Sequence, residues 1–153
     1  MKEFIQLTIE DTQTTLQSQS EKMTLPIGIQ QIDGYSFQHS PITPYEAEVA
    51  IEHIENVIIP ARYKFSTDNP ILQCNDIRLI HLFDKNNQTV DFLSTQHIEN
   101  AFNELVNVIN GSPINTTTLP VDKSFTAFLL ILREISHHWQ LSGITVKITD
   151  KLK

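Results

Sequence analysis

The segment KSFTAFLLILREISHHWQLS, residues 123–142, constrains the fold more than any other part of the chain. Phe125, Phe128, Leu129, Leu132, Ile135 and Trp139 recur at helical spacing, while Leu130 and Ile131 occupy the reverse side of the same helix. A helix that is apolar nearly all round over its first turns has no face to give to water, so other elements must surround it. Asp122 is placed to cap its start. Gly143 is expected to turn the chain beyond its end, with Trp139 as the last core anchor.

Two further helices are available as partners. Thr43 precedes Pro44, and Glu46 stands three residues after it, the arrangement of a capping box with proline at the first helical position. The stripe Ala47, Ala50, Ile51, Ile54, Val57 and Ile58 follows, and Pro60 predicts an end or kink. The second helix opens at Ser94 or Thr95, carries Ile98, Ala101, Phe102, Leu105, Val108 and Ile109 on one side, and stops at Gly111.

Strand signals are shorter. Ile5, Leu7 and Ile9 alternate with polar residues, as do Ile144, Val146 and Ile148. Asp33-Gly34 marks a hairpin turn within residues 25–40. ILQCND reads as a strand, and IRLIHLF with TVDFL as a hairpin around DKNNQ; a short helix over 75–83 is the competing assignment. The run TQTTLQSQSEKMT has little apolar content and reads as a linker or loose helix, so residues 1–24 are expected to form a strand and polar arm and 25–153 a single domain. The fold class expected is α+β, with three main helices on a small antiparallel sheet. An all-α helical bundle is the alternative.

The chain has 153 residues with 40% hydrophobic content, enough for one cored domain. Its formal net charge of −7 argues against a grip on nucleic-acid phosphates. Lys and Arg are missing between Lys22 and Arg62 and between Lys85 and Lys123, so the surface there is acidic. Cys74 is the single cysteine, which excludes an internal disulfide and reads as a small core residue. No apolar leader or membrane span is seen, and a cytoplasmic location is expected. No Gly-rich phosphate loop is present, and four glycines leave little material for nucleotide-cradling turns.

Three constellations carry possible chemistry. Asp84, Asn86 and Gln88 resemble the first half of an EF-hand calcium loop, but Thr89 stands where such a loop needs glycine and Thr95 where it needs a bidentate glutamate. Glu48, Glu52 and Glu55 share one helix face with Ile59 among them, which suggests a surface for a protein partner or a homodimer. Glu134, His137 and His138 stand at the end of the third helix, and Glu-x-x-His resembles the half-motif of ferritin-like di-iron bundles, whose second copy this sequence lacks. A metal there requires a further ligand such as His53 or His97, each of which opens a copy of HIEN. Histidines in a last helical turn also interact favourably with the free carbonyls, by about 0.3–1 kcal/mol, without any ligand.

Together these features predict a cytoplasmic, non-enzymatic interaction or accessory protein that works through an acidic helix, with no cofactor, no nucleic acid and no membrane. The alternative is a metal-binding protein or metal-dependent enzyme with a divalent transition metal at the Glu-x-x-His-His site.

Overall fold

The computed structural model describes residues 4–64, 71–83 and 91–148. A meander of β1 (Phe4–Ile9), β2 (Thr14–Gln17) and β3 (Lys22–Leu25) leads through an irregular segment to α1 (Pro44–Ala61). Then come β4 (Ile71–Cys74), a 3-10 helix (Ile77–Leu82), β5 (Phe92–Ser94), α2 (Thr95–Ile109), α3 (Lys123–His138) and β6 (Gly143–Val146). The strands form one sheet in the order β3-β2-β1-β4-β6-β5. β1, β4 and β6 are mutually parallel, and the remaining pairings are antiparallel.

The strand registers explain the core. Leu93, Ile144, Leu72 and Ile5 form one row across four strands, and Val146, Cys74, Leu7 and Leu16 form the next. All eight are buried, and they meet the apolar sides of the helices. The opposite face carries the row Phe92, Thr145, Gln73, Gln6 and Gln17. Such alternation gives a two-layer structure with helices on one side of the sheet. α3 packs between α1 and α2, and its residues from Phe125 to Leu132 are all buried, as its all-round apolarity requires.

The α+β expectation therefore holds, and the all-α bundle is excluded by the sheet. The sheet is mixed rather than antiparallel, because the long excursions that hold α1 and the α2–α3 pair return β4 and β6 parallel to β1. The run 12–24 is neither linker nor loose helix: Thr14 and Leu16 are fully buried, and Thr14 Oγ1 donates to the Ile27 carbonyl at 2.6 Å. IRLIHLF is not a strand but the 3-10 helix, started by Asp76, whose side chain accepts from the Arg78 amide. The turn at Asp33-Gly34 is present with both residues at positive φ, flanked by single bridges rather than full strands.

The helix ends follow the sequence closely. In α1 both halves of the capping box are formed. Glu46 is buried and also accepts from the Gln38 amide and contacts His39 Nδ1 at 3.1 Å, so it ties the incoming loop to the helix. Burial raises its pKa, but the Gln38 and Thr43 amides and His39 outweigh that and hold it below the ordinary value. A carboxylate with a depressed folded pKa stabilises the fold above its unfolded pKa of about 4.3, and that contribution is lost as pH falls through the folded value. The stability gap between wild type and Glu46→Gln, measured as urea midpoints, is therefore expected to be largest near neutrality and to close at acid pH. A gap that is constant with pH would assign the effect to shape alone.

α3 ends in a Schellman arrangement in which the Leu141 amide donates to the Ser136 carbonyl and the Gln140 amide to that of His137. The left-handed residue is Gln140, at φ 56, not Gly143. Gly143 instead opens β6, and the position requires glycine because a Cβ there would fall 2.2 Å from the Leu93 carbonyl oxygen and 2.5 Å from the Phe92 ring.

Candidate functional site

The polar end of α3 is tied to both neighbouring helices by charge. Arg133 holds Glu99 of α2 through two hydrogen bonds of 3.1 Å, donates to Glu134 at 2.7 Å, and stacks 4.3 Å over the Phe102 ring. Burial opposes the charged guanidinium, but the bonds and charges of Glu99 and Glu134 raise its pKa. On the other side, His138 Nε2 lies 3.0 Å from Glu55 of α1 and 3.1 Å from Glu134. Glu134 has no exposed surface, although it stands only four residues before the end of its helix. Beside this network Trp139 Nε1 donates to the Ile58 carbonyl at 2.9 Å, which fixes α3 to the end of α1.

Of the residues proposed from sequence as metal ligands, the structure brings Glu134 and His138 together and does not add the others. His137 is exposed and stands edge-to-face with the His138 ring, with centroids 5.0 Å apart. His53 lies beside Tyr35 and 3.9 Å from Asp33. His97 sits in the first turn of α2, with Nδ1 2.9 Å from Ser94 Oγ. The third group in reach is Glu55, placed by sequence on the partner surface: one ligand atom from each of Glu55, Glu134 and His138 lies within 4.8 Å of the others. Glu48 and Glu52 remain exposed, as does Ile59 at 44%. The calcium-loop residues Asp84, Asn86, Gln88 and Thr89 lie outside the described residues.

Chemistry in open sheets with parallel strands is generally found beyond the carboxyl ends of those strands, where the strand order reverses. Here the reversal falls between β1 and β4. The turn after β1, Glu10–Gln13, and the segment after β4, from Asn75 to Arg78, therefore form a rim. The irregular segment after β3 crosses that turn closely: the Ile29 and Gln30 amides donate to the Glu10 and Asp11 carbonyls at 2.9 and 2.8 Å. Gly28 permits the crossing, since a Cβ there would lie 2.5 Å from the Asp11 carbonyl. The first turn of α3 completes the rim, and a cavity of about 120 Å³ lies there, lined by Ile29, Gln30, Tyr35, Phe37, Lys123 and Ser124 among others. Arg78 is held by both oxygens of Asp76 and lies 5.3 Å from the Phe128 ring centroid. Cys74 ends β4 beneath this rim, but burial pushes its thiol up to about 11, so it is a core residue and not a nucleophile at neutral pH.

Sequence reasoning did not find the rim, because an antiparallel sheet has no common carboxyl edge. Gly28 was the available signal, one of only four glycines and placed between two β-favouring residues.

A mixed sheet covered on one face by three helices, with a rim at the ends of its parallel strands, defines the class of domain. No protein-family model matches the sequence, and no curated protein matches it. Among solved structures, the type II variant of the Aquifex aeolicus Ppx/GppA phosphatase superposes with a TM-score of 0.69 at 16% identity, over 96% of this chain and 53% of that one. A second structure, of the Aquifex aeolicus PPX-GPPA enzyme, gives 0.64 at 15% identity over 95% of this chain and 53% of its own. An exopolyphosphatase-like protein gives 0.62 at 9% identity, over 95% and 54%. The chain thus spans about half the length of the structures it matches.

This likeness corrects the expectation of a non-enzymatic accessory protein acting through an acidic helix. The chain shares its fold with about half of each of these structures, which are described as Ppx/GppA phosphatases or an exopolyphosphatase-like protein. Among the described residues no helix is long and apolar enough to cross a membrane.

Proposed function

We propose that this chain is one lobe of a phosphatase-like enzyme and that its rim forms one wall of a cleft for a phosphorylated substrate, of the phosphoanhydride class. The observation that supports this is the likeness over nearly the whole chain to structures described as Ppx/GppA phosphatases and an exopolyphosphatase-like protein. The second wall is supplied by another lobe, either in a longer polypeptide or from a partner chain or second copy. With a net charge of −7, the lobe attracts a polyanion only where donors are concentrated. At the rim the donors are Lys123 and Ser124 beside the cavity, while the Phe125 amide of the same turn is taken by the Asp122 cap.

Titration of the isotopically labelled chain with inorganic polyphosphate, with and without magnesium, tests this. Amide shifts are expected to concentrate at Asp11, Gln30, Lys123 and Ser124, and Lys123→Glu is expected to weaken binding by about tenfold, the worth of one charge contact of roughly 1.4 kcal/mol. Phosphate release should appear only when the second lobe is present. Shifts scattered away from the rim, or none at millimolar polyphosphate, would count against the reading.

A further inference from the structure

We propose that Glu55, Glu134 and His138 form a zinc-binding clamp that fastens the end of α1 to the end of α3, away from the rim. The decisive feature is an orphaned atom. Glu134 is fully buried; Oε2 takes the Arg133 hydrogen bond, whereas Oε1 has no hydrogen-bond partner although His138 Nε2 lies 3.1 Å away. A proton on Nε2 points along one direction, and the aligned acceptor is Glu55 Oε2 at 3.0 Å. One N–H therefore serves one carboxylate and leaves a second one buried beside it without a bond, an arrangement that costs free energy.

A cation at the centre removes the difficulty, because it binds the Nε2 lone pair and both carboxylates at once. Tetrahedral zinc with bonds of about 2.0–2.2 Å separates its ligand atoms by about 3.4 Å. The observed separations of 3.0 and 3.1 Å, with all three atoms within 4.8 Å, need only small side-chain shifts to enclose such an ion. One imidazole with two carboxylates falls within the ligand types of zinc, and the imidazole sets the cluster apart from the all-oxygen sites of calcium and magnesium. The side chains of His138 and Glu55 are 25% and 35% exposed, so water reaches the fourth position. Arg133 acts as an outer partner that orients Glu134, as metal-bound carboxylates commonly require.

The location assigns a structural role. The three residues join the last two turns of α1 to those of α3, near the Trp139–Ile58 bond. α3 ends where the parallel strand β6 begins, so this is the opposite end of the sheet from the rim. The inference is independent of the phosphatase reading, and its test involves no substrate.

The test is equilibrium dialysis of the untagged, metal-stripped chain against zinc alone, with thermal denaturation in parallel. One zinc per chain is expected, with a rise in Tm of roughly 5–10 °C at a hundredfold excess over Kd. Glu55→Gln and His138→Asn, both at partly exposed positions, should keep the wild-type circular dichroism. They should also lose at least the roughly 100-fold in affinity that an outer partner of a metal site is worth. Absence of uptake, or stoichiometric zinc that survives both substitutions, overturns the assignment and leaves His138 as a hydrogen-bonded bridge only.

Discussion

Gly143→Ala is expected to lower the stability of the fold by at least about 3 kcal/mol, the upper part of the range for overpacking a filled site. The added carbon would lie 2.2 Å from a backbone oxygen, that of Leu93, and 2.5 and 2.8 Å from two atoms of the Phe92 ring. A ring can rotate away, but a strand carbonyl moves only with its strand. β5 has three residues and, among the described residues, pairs only with β6, so displacing it opens the Ser94–Gly143 end of the ladder. The damage then reaches α2, since Thr95 starts that helix directly and is fixed by its amide to the Ser142 carbonyl and by Oγ1 to that of Leu141. For a domain of this size the loss corresponds to a fall in Tm of roughly 6–12 °C. Adding Phe92→Leu relieves the ring overlap but not the carbonyl one, so it should restore only part of the difference. A Gly143→Ala protein melting within 2 °C of wild type would show that β5 is not held at this distance.

That glycine also illustrates what was legible in the sequence. Its place after α3 is plain in the sequence, but its role depends on Phe92, fifty-one residues away, and long-range approach leaves no local pattern. Features generated locally were readable: the capping box of Thr43 and Glu46, the cap at Asp122, the stripes of α2 and α3, and the alternation of β1. The misread segments are those whose identity comes from tertiary context. β2 and β3 bury only Thr14, Leu16 and Leu25 among polar neighbours, because their other face is not covered by helices. Whether strands run parallel depends on where the connecting helices return them, so the sheet's common edge, and with it the rim, was out of reach.

The same division runs through the charged cluster. Glu134 and His138 are four residues apart on one helix, and their approach follows from helical geometry alone. Glu55 lies outside the strict apolar stripe of α1 and projects as a solvent residue. It meets His138 because α1 and α3 pack together, which brings the flank of one helix against the flank of the other.

Arg133→Met is expected to cost about 3–5 kcal/mol, the usual consequence of removing one partner from a buried ion pair. The methionine retains the apolar stem that lies over Phe102, so the substitution tests the charge more than the packing. What remains is Glu134, with 0% exposure, deprived of its 2.7 Å partner while Oε1 is already without a hydrogen bond. The outer half of the network should behave differently. Glu99→Gln removes a carboxylate whose side chain is 31% exposed, leaves Arg133 paired with Glu134, and is expected to cost less than about 1 kcal/mol. Combining Arg133→Met with Glu134→Leu removes the stranded charge and should recover most of the loss, although neither original group is restored. Urea denaturation of the three variants decides between two accounts of the cluster. If Arg133→Met and Glu99→Gln are equally mild, the network is a surface feature that water screens. If the first is severe and the double variant recovers, the cost resides in the buried Glu134 carboxylate, the group whose orphaned oxygen the zinc clamp would satisfy.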